Sequence, residues 1–286
     1  MKNILKSAVV IASLALLLTG CANSSPQPTE TPNSPAGSGT PTSAGVYDAA
    51  KATLLQEGKL LVCTHNPYKP FQYNDPGDKT KIIGFDVDLI DVVAQKLGVT
   101  QEIVDIDFEQ IHTGTAFAAG KCDAGAAGMT ITDKRKEATE FSQGYFDATQ
   151  ALMVSSDSPV SGLADLKGKI LAAQTGTTGE IYANDHKAEF GYEVKIFDNL
   201  PSTANSVLAK TADAAINDNT VLYDFVKENP TTKVVAEFDT GEQYGVNAKK
   251  GNTALIAVVD EAINEVKSNG KYAEWYLKYF GQEWQG

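Results

Sequence analysis

The chain has 286 residues, 42% apolar and 21% charged, an ordinary globular composition with material for one or two domains. Asp and Glu number 36 against 24 Lys and Arg, a formal charge of -12, and the basic residues form no cluster. Nucleic acid is therefore excluded as a partner, because phosphate binding needs concentrated Lys and Arg, and three cysteines are too few for a disulfide scaffold.

Lys2 and Lys6 precede an apolar run of 11 residues, Ala8 to Leu18, broken only by Ser13. A membrane span needs about 20 apolar residues, so the run reads as the core of an export signal. Leu18-Thr19-Gly20-Cys21 resembles the bacterial lipoprotein processing box, which implies cleavage before Cys21 and lipid on its sulfur. Without residues 1–20 the balance becomes 22 basic against 36 acidic residues, or -14. Of the 24 residues from Ala22 to Gly45, 17 are Pro, Ser, Thr or Gly, which predicts a flexible tether over 21–45. The expected location is extracytoplasmic, on the cell membrane through this anchor.

The remainder alternates strand-like and helix-like segments. Lys59–Thr64 is a short apolar strand. Leu89, Val92, Val93 and Leu97 share one face of a helix that opens at Gly84 and stops at Gly98. A strand over 101–104, a helix over 110–119 and a strand from Asp123 follow, and Thr132 reads as the N-cap of a helix through Glu137. Then come strand 169–173, helix 179–187, strand 193–197, helix 202–209, strand 213–216 and helix 220–227, with two helical patterns over 253–280. Such alternation predicts an α/β fold with parallel sheets. Cys63 ends its strand and Cys122 begins another. Parallel neighbours put these positions at opposite ends of the sheet, so two free thiols are expected, since a bridge needs Cα atoms within about 7 Å.

In open α/β sheets ligands sit beyond the carboxyl ends of the strands. Three segments meet that condition: Thr64–Phe71, Ala127–Arg135 and Gln174–Gly179. Arg135 falls in the first turn of a helix, where the dipole disfavours a cation. An anion at the same helix start would account for it, and pairing with Asp133 or Glu140 would account for it equally. Thr175 to Gly179 offer amides at a second helix start. Asp218 follows its strand and suits either an ammonium or the cap of the next helix. Phosphate-loop, nucleophile-elbow and zinc-protease motifs do not occur, and His65, His112 and His186 are far apart. No metal site, cofactor or catalytic residue is assigned.

Gly84-Phe85-Asp86-Val87-Asp88-Leu89, with Val93, Ala94 and Leu97, resembles the signature of the family 3 solute-binding proteins, the polar amino-acid receptors of bacterial ABC importers. Tyr68-Lys69-Pro70-Phe71, Ala127 to Arg135, Gln174 to Thr178, Gln243-Tyr244-Gly245-Val246 and the ending around Gly270-Lys271-Tyr272 and Trp275 agree in order, over about 59–281. The resemblance implies a two-lobed, flytrap-like periplasmic-binding-protein fold. Each lobe would be a mostly parallel sheet flanked by helices, with two crossing strands as hinge. Lobe 1 would be 46–146 plus 247–286, and lobe 2 would be 151–243.

By the same resemblance, Arg135 would grip a ligand carboxylate with the amides of Thr130 and Thr178, beside Thr177. The Gly128 carbonyl, the Thr130 hydroxyl and Asp218 would receive the ammonium. Tyr68 and Phe108 would sandwich the side chain, with Phe71 packed behind. His65 stands where relatives binding amide or basic side chains often have Asp. Gln174 and Asn217 stand where glutamine binders have Lys and His. With no fixed charge placed at the rim, and Glu109 read as an exposed helix-start residue, neutral polar ligands rank above acidic and acidic above basic. A permease with its ATPase is the implied partner, and a monomer is expected. The other roles for the scaffold are a sensing or adhesive lipoprotein and a dehydratase-like enzyme.

Overall fold

The computed structural model describes residues 43–286, so the export signal, Cys21 and most of the tether lie outside the described residues. In chain order the elements are α1 (Ser43–Lys51), β1 (Lys59–Thr64), β2 (Tyr73–Asn74), β3 (Ile82–Ile83), α2 (Phe85–Leu97), β4 (Thr100–Asp105), α3 (Phe108–His112), α4 (Thr115–Ala118), β5 (Ala124–Gly125), α5 (Asp133–Ala138), β6 (Thr139–Phe141) and β7 (Phe146–Ser155). A 3-10 turn at Leu163–Leu166 leads to β8 (Ile170–Gln174), α6 (Thr178–Phe190), β9 (Glu193–Phe197), α7 (Leu200–Leu208), β10 (Ala214–Asp218), α8 (Asn219–Glu228), β11 (Thr232–Tyr244), β12 (Asn247–Lys249), α9 (Thr253–Ser268) and α10 (Lys271–Phe280).

Two five-stranded sheets result, ordered β4-β1-β5-β12-β6 in lobe 1 and β11-β7-β10-β8-β9 in lobe 2. Within each, three neighbouring strands are parallel: β4-β1-β5 and β10-β8-β9. The remaining pairings, through β12 and β6 and through β7 and β11, are antiparallel. β12 and β7, on which the chain arrives from the other sheet, run opposite to the rest, whereas β6 and β11, from which it leaves, run with the parallel strands. β7 and β11 pair with each other, Phe146 opposite Tyr244, so the two crossings lie side by side.

An aromatic cluster sits where they meet. Phe71 packs against Phe146 at 4.9 Å and Tyr244 at 5.0 Å, and Phe85 packs edge-on against Tyr272 at 5.2 Å. Phe71 is fully buried, behind Tyr68, as expected for a packing residue. α2 forms on its apolar face: Phe85, Leu89, Val92, Val93 and Leu97 are buried, and Gly98 closes it in the left-handed region at φ 66°.

Three expectations change. The helix over 110–119 is two short helices, because Gly114 breaks it at φ 77°. α1 begins at Ser43, inside the stretch read as tether, and its Ala50 is buried in the core. The third is the cysteine pair: Cys63 and Cys122 are joined by a disulfide, with Cα atoms 5.6 Å apart. β5 is only two residues long and pairs Ala124 with Val62 and Gly125 with Cys63. Cys122 lies before that strand. There the chain bends over the sheet, so that Cys122 packs with Cys63, Phe108, Ile111 and Phe117 on one face while Ala124 packs with Val62 on the other. A straight strand start was assumed, and the bend removes the separation it implied.

Candidate functional site

The carboxyl ends of β1, β5, β8 and β10 converge on a cleft between the two sheets. This cleft is lined by His65, Tyr68, Gln72, Phe108, Ala127, Gly128, Thr130 and Arg135 from lobe 1 and by Gln174, Thr177, Thr178 and Asp218 from lobe 2. Of the residues that the resemblance places at the ligand, Asn217 is the one not on this wall; it is buried just behind, accepting from the Tyr68 hydroxyl at 2.8 Å. Glu109 is exposed in the first turn of α3 and takes no part. Gln72 and Ala127 are additional lining residues.

Arg135 is held in place by the start of α5. Thr132 caps that helix, its hydroxyl accepting from the Arg135 amide at 3.2 Å. The guanidinium donates to the carbonyls of Thr130 at 2.7 Å and of Gly176, across the cleft, at 2.9 Å, and lies over the Phe108 ring at 5.3 Å. Asp133 and Glu140 pair instead with Lys136 and Lys250. Among the described residues Arg135 therefore has no ion pair, although it is only 6% exposed. Burial pulls its pKa down, and the charges of Asp218 and Glu242 oppose that.

Asp218 is the opposite charge on the other wall. It stands at the cap position of α8 but its side chain makes no capping bond. It accepts instead from the hydroxyls of Tyr68 (2.7 Å) and Tyr244 and from Gln150 Nε2 (2.5 Å), all neutral donors. Burial first, then the charge of Glu242, pushes its pKa up to about 6. Tyr68 is thereby a lobe 1 side chain bonded to two lobe 2 residues, Asn217 and Asp218.

Two glycines let the walls approach. A Cβ on Gly128, at φ 54°, would lie 2.8 Å from the Tyr68 ring, and one on Gly176, at φ 70°, would lie 2.5 Å from His112 Nε2. Gly128 is fixed by Asp86 of the α2 signature, which accepts from its amide at 2.8 Å and from the Tyr145 hydroxyl. Asp86 thus supports the cleft without lining it.

The far end of the cavity is rich in acceptors. His65 Nδ1 is 2.9 Å from the Ile106 carbonyl, an acceptor only, so Nδ1 carries the proton and Nε2 presents a lone pair. Gln72 Nε2 donates to the His65 carbonyl at 3.2 Å. His65 Nε2 and Gln72 Oε1 are both buried without a hydrogen-bond partner among the described residues. Such orphaned atoms are costly unless something else satisfies them. Among the described residues no cluster of three or more His, Cys, Asp or Glu side chains is arranged to hold a metal ion.

Sequence reasoning missed Gln150 and Glu242, both buried at the crossings. Gln150 lies directly opposite Asp218 in the β7–β10 register. That relation exists only once the register is known. Glu242 follows an irregularity in β11 between Phe238 and Glu242, which a strand pattern alone does not reveal.

The fold and this cleft define a two-lobed binding protein. Residues 60–282 match the model of the bacterial extracellular solute-binding proteins, family 3, and the chain belongs to that family. It is 30% identical over 244 residues to the "Probable histidine-binding protein" of Neisseria gonorrhoeae, covering 82% of this chain and 88% of that one. It is 30% identical over 227 residues to the arginine-binding extracellular protein ArtP of Bacillus subtilis, covering 79% and 87%. Among solved structures, an ancestral arginine-binding protein bound to arginine superimposes with a TM-score of 0.73 at 38% identity, covering 79% of this chain and 99% of that one.

Proposed function

We propose that this protein is the extracytoplasmic amino-acid receptor of an ABC importer, anchored through lipid on Cys21, that closes its lobes on a zwitterionic ligand and hands it to a permease–ATPase complex. The observation that carries this reading is the opposed pair of buried charges. Arg135 on one lobe and Asp218 on the other line one cavity, and neither has an ion pair of its own among the described residues. A zwitterion supplies a carboxylate for the first and an ammonium for the second, each in a charge-assisted bond. Thr130, Thr178 and the Gly128 carbonyl lie alongside to complete the two ends, and Tyr68 and Phe108 flank the space between.

The unpartnered acceptors suggest the side chain. His65 Nε2 and Gln72 Oε1 favour a ligand that donates hydrogen bonds: an amide, an imidazole or a guanidinium. A carboxylate side chain finds acceptors where it needs donors. The ranking of neutral polar over cationic ligands rested on the lack of an acid near the rim. Glu242 lies behind the wall at Thr130 and Thr178 and does not change that premise, but the two unpartnered acceptors suit cationic donors as well as neutral ones, so both rank above acidic ligands. The enzyme alternative needs a paired acid and base, and the two candidates are separated: His65 lines the cleft, whereas Glu109 is exposed outside it.

A thermal-shift screen of the twenty amino acids on protein stripped by unfolding and refolding tests the reading. Stabilisation is expected from donor-bearing side chains, without turnover. No shift with any amino acid, or a shift from glutamate and aspartate alone, would contradict it.

A further inference from the structure

Glu242 lies on the second crossing strand, 8% exposed, behind the wall of the cleft. Its Oε2 accepts from the Thr130 hydroxyl of lobe 1 at 2.7 Å and from the Thr178 hydroxyl of lobe 2 at 2.7 Å. Its Oε1 accepts from Thr240 at 2.8 Å and from Gln150 Nε2 at 3.0 Å. Gln150, on the first crossing strand, also donates to Asp218 at 2.5 Å. Both crossing strands thus place a buried polar group against cleft-lining side chains, and Glu242 joins those of the two lobes.

We propose that Glu242 is a positioning residue for ligand capture and closure: one carboxylate oxygen takes the hydroxyl protons of Thr130 and Thr178, orienting both hydroxyls and tying the lobes together. This rests on the reading of the cleft as an amino-acid site. A hydroxyl has a single proton, so once that proton points at Glu242 only lone pairs remain for the cleft. Thr130 then accepts from an ammonium and does not donate to a carboxylate. The carboxylate end of the ligand is left to Arg135, and the bound orientation is set. The tie needs both lobes within reach of one oxygen, so it exists only when they are closed.

Glu242 also acts on the charge of Asp218. The charged and titratable groups around Asp218 are Tyr68 on the loop after β1, Tyr244 and Glu242 on β11, and Arg135 on α5. The two tyrosines are pushed well above their ordinary range by burial and stay protonated, so Glu242 is the neighbour whose negative charge makes Asp218 harder to ionise.

The test compares wild type, Glu242→Gln, Thr178→Val and the double variant, with L-arginine and L-glutamine as calorimetric probes and small-angle scattering of the stripped, ligand-free proteins. Glu242→Gln is nearly isosteric but loses the charge that holds both protons. It should weaken the bound probe by about tenfold or more, the range for hydrogen bonds to charged groups. The acid limb of its affinity should move to lower pH, and the double variant should be little weaker than Glu242→Gln alone. The ligand-free variant should have a larger radius of gyration than wild type. An affinity within twofold of wild type, a loss of affinity with an unmoved acid limb, or additive effects of the two substitutions would overturn the proposal. If wild type binds neither probe nor any other amino acid, the functional reading fails instead, and the radius of gyration alone decides on Glu242, an unchanged value rejecting the tie.

Discussion

Replacing Arg135 with alanine removes the one Lys or Arg that lines the cavity among the described residues. The side chain makes two carbonyl bonds, to Thr130 at 2.7 Å and Gly176 at 2.9 Å, and rests on Phe108. The loss to the fold is partly offset, because burying a guanidinium carries its own desolvation penalty. Asp218, freed from a nearby positive charge, responds by protonating more readily. Binding has no such relief. A ligand carboxylate brought into the closed cleft would be buried without its partner, which costs about 2–5 kcal/mol. That corresponds to about 30- to 5,000-fold in affinity. Calorimetry on stripped protein reads the change directly, and circular dichroism checks that the variant remains folded. Arg135→Lys keeps the charge but loses the planar fork that bridges Thr130 and Gly176, so an intermediate loss is expected. An affinity within threefold of wild type for folded Arg135→Ala would refute the assignment of the carboxylate end.

Asp218 should couple binding to protons. With its pKa raised to about 6 in the cleft, it is about half protonated at pH 6, and an incoming ammonium requires the ionised form. Calorimetry at pH 6 in buffers of different ionisation enthalpy should therefore show release of about half a proton, absent in Asp218→Asn; uptake, or no exchange at all, would contradict this. The sign for folding is the reverse. A carboxyl whose folded pKa lies above its ordinary 3.8 binds more protons in the native state, so Asp218 and the buried Asp86 both stabilise the ligand-free fold as pH falls from about 7 towards 4. His112, lowered to about 4 by burial and by Arg135 and Lys134, opposes them below pH 6.5, so replacing it with Gln should steepen the gain in melting temperature on acidification. The Cys63–Cys122 bridge predicts no free thiols in unfolded, unreduced protein lacking Cys21. Replacing both cysteines with serine should lower stability by about 4 kcal/mol for a cross-link closing 59 residues.

The elements that carried a local signal were legible in the sequence. α2 was readable because Leu89, Val92, Val93 and Leu97 repeat at helical spacing and Gly98 ends them. Thr132 announced α5 through a capping hydroxyl that needs only local chain to act. His65, Tyr68, Arg135, Gln174 and Asp218 were locatable because cleft-lining residues gather at strand ends, which a strand-by-strand reading finds.

What escaped depends on distant segments. Gln150 faces Asp218 through a strand register spanning 68 residues, and Glu242 reaches Thr130 across 112. The disulfide depends on a bend before a two-residue strand, a feature with no periodicity to read. The local alternatives for Arg135 and Asp218 also needed the structure, which engages Asp133 and Glu140 with lysines and gives the Asp218 side chain no capping bond at α8.

The claim that one cleft captures both ends of a zwitterion is tested most directly by removing the ends one at a time. The tightest-binding of the twenty amino acids would be compared by calorimetry with its decarboxylated amine and with its deaminated acid, at pH 7.5 on stripped protein. The amine leaves Arg135 unpaired and the acid leaves Asp218 unpaired, so each should bind at least about 30-fold more weakly than the parent. Either analogue binding within a few-fold of the parent would mean that the corresponding charge does not hold the ligand.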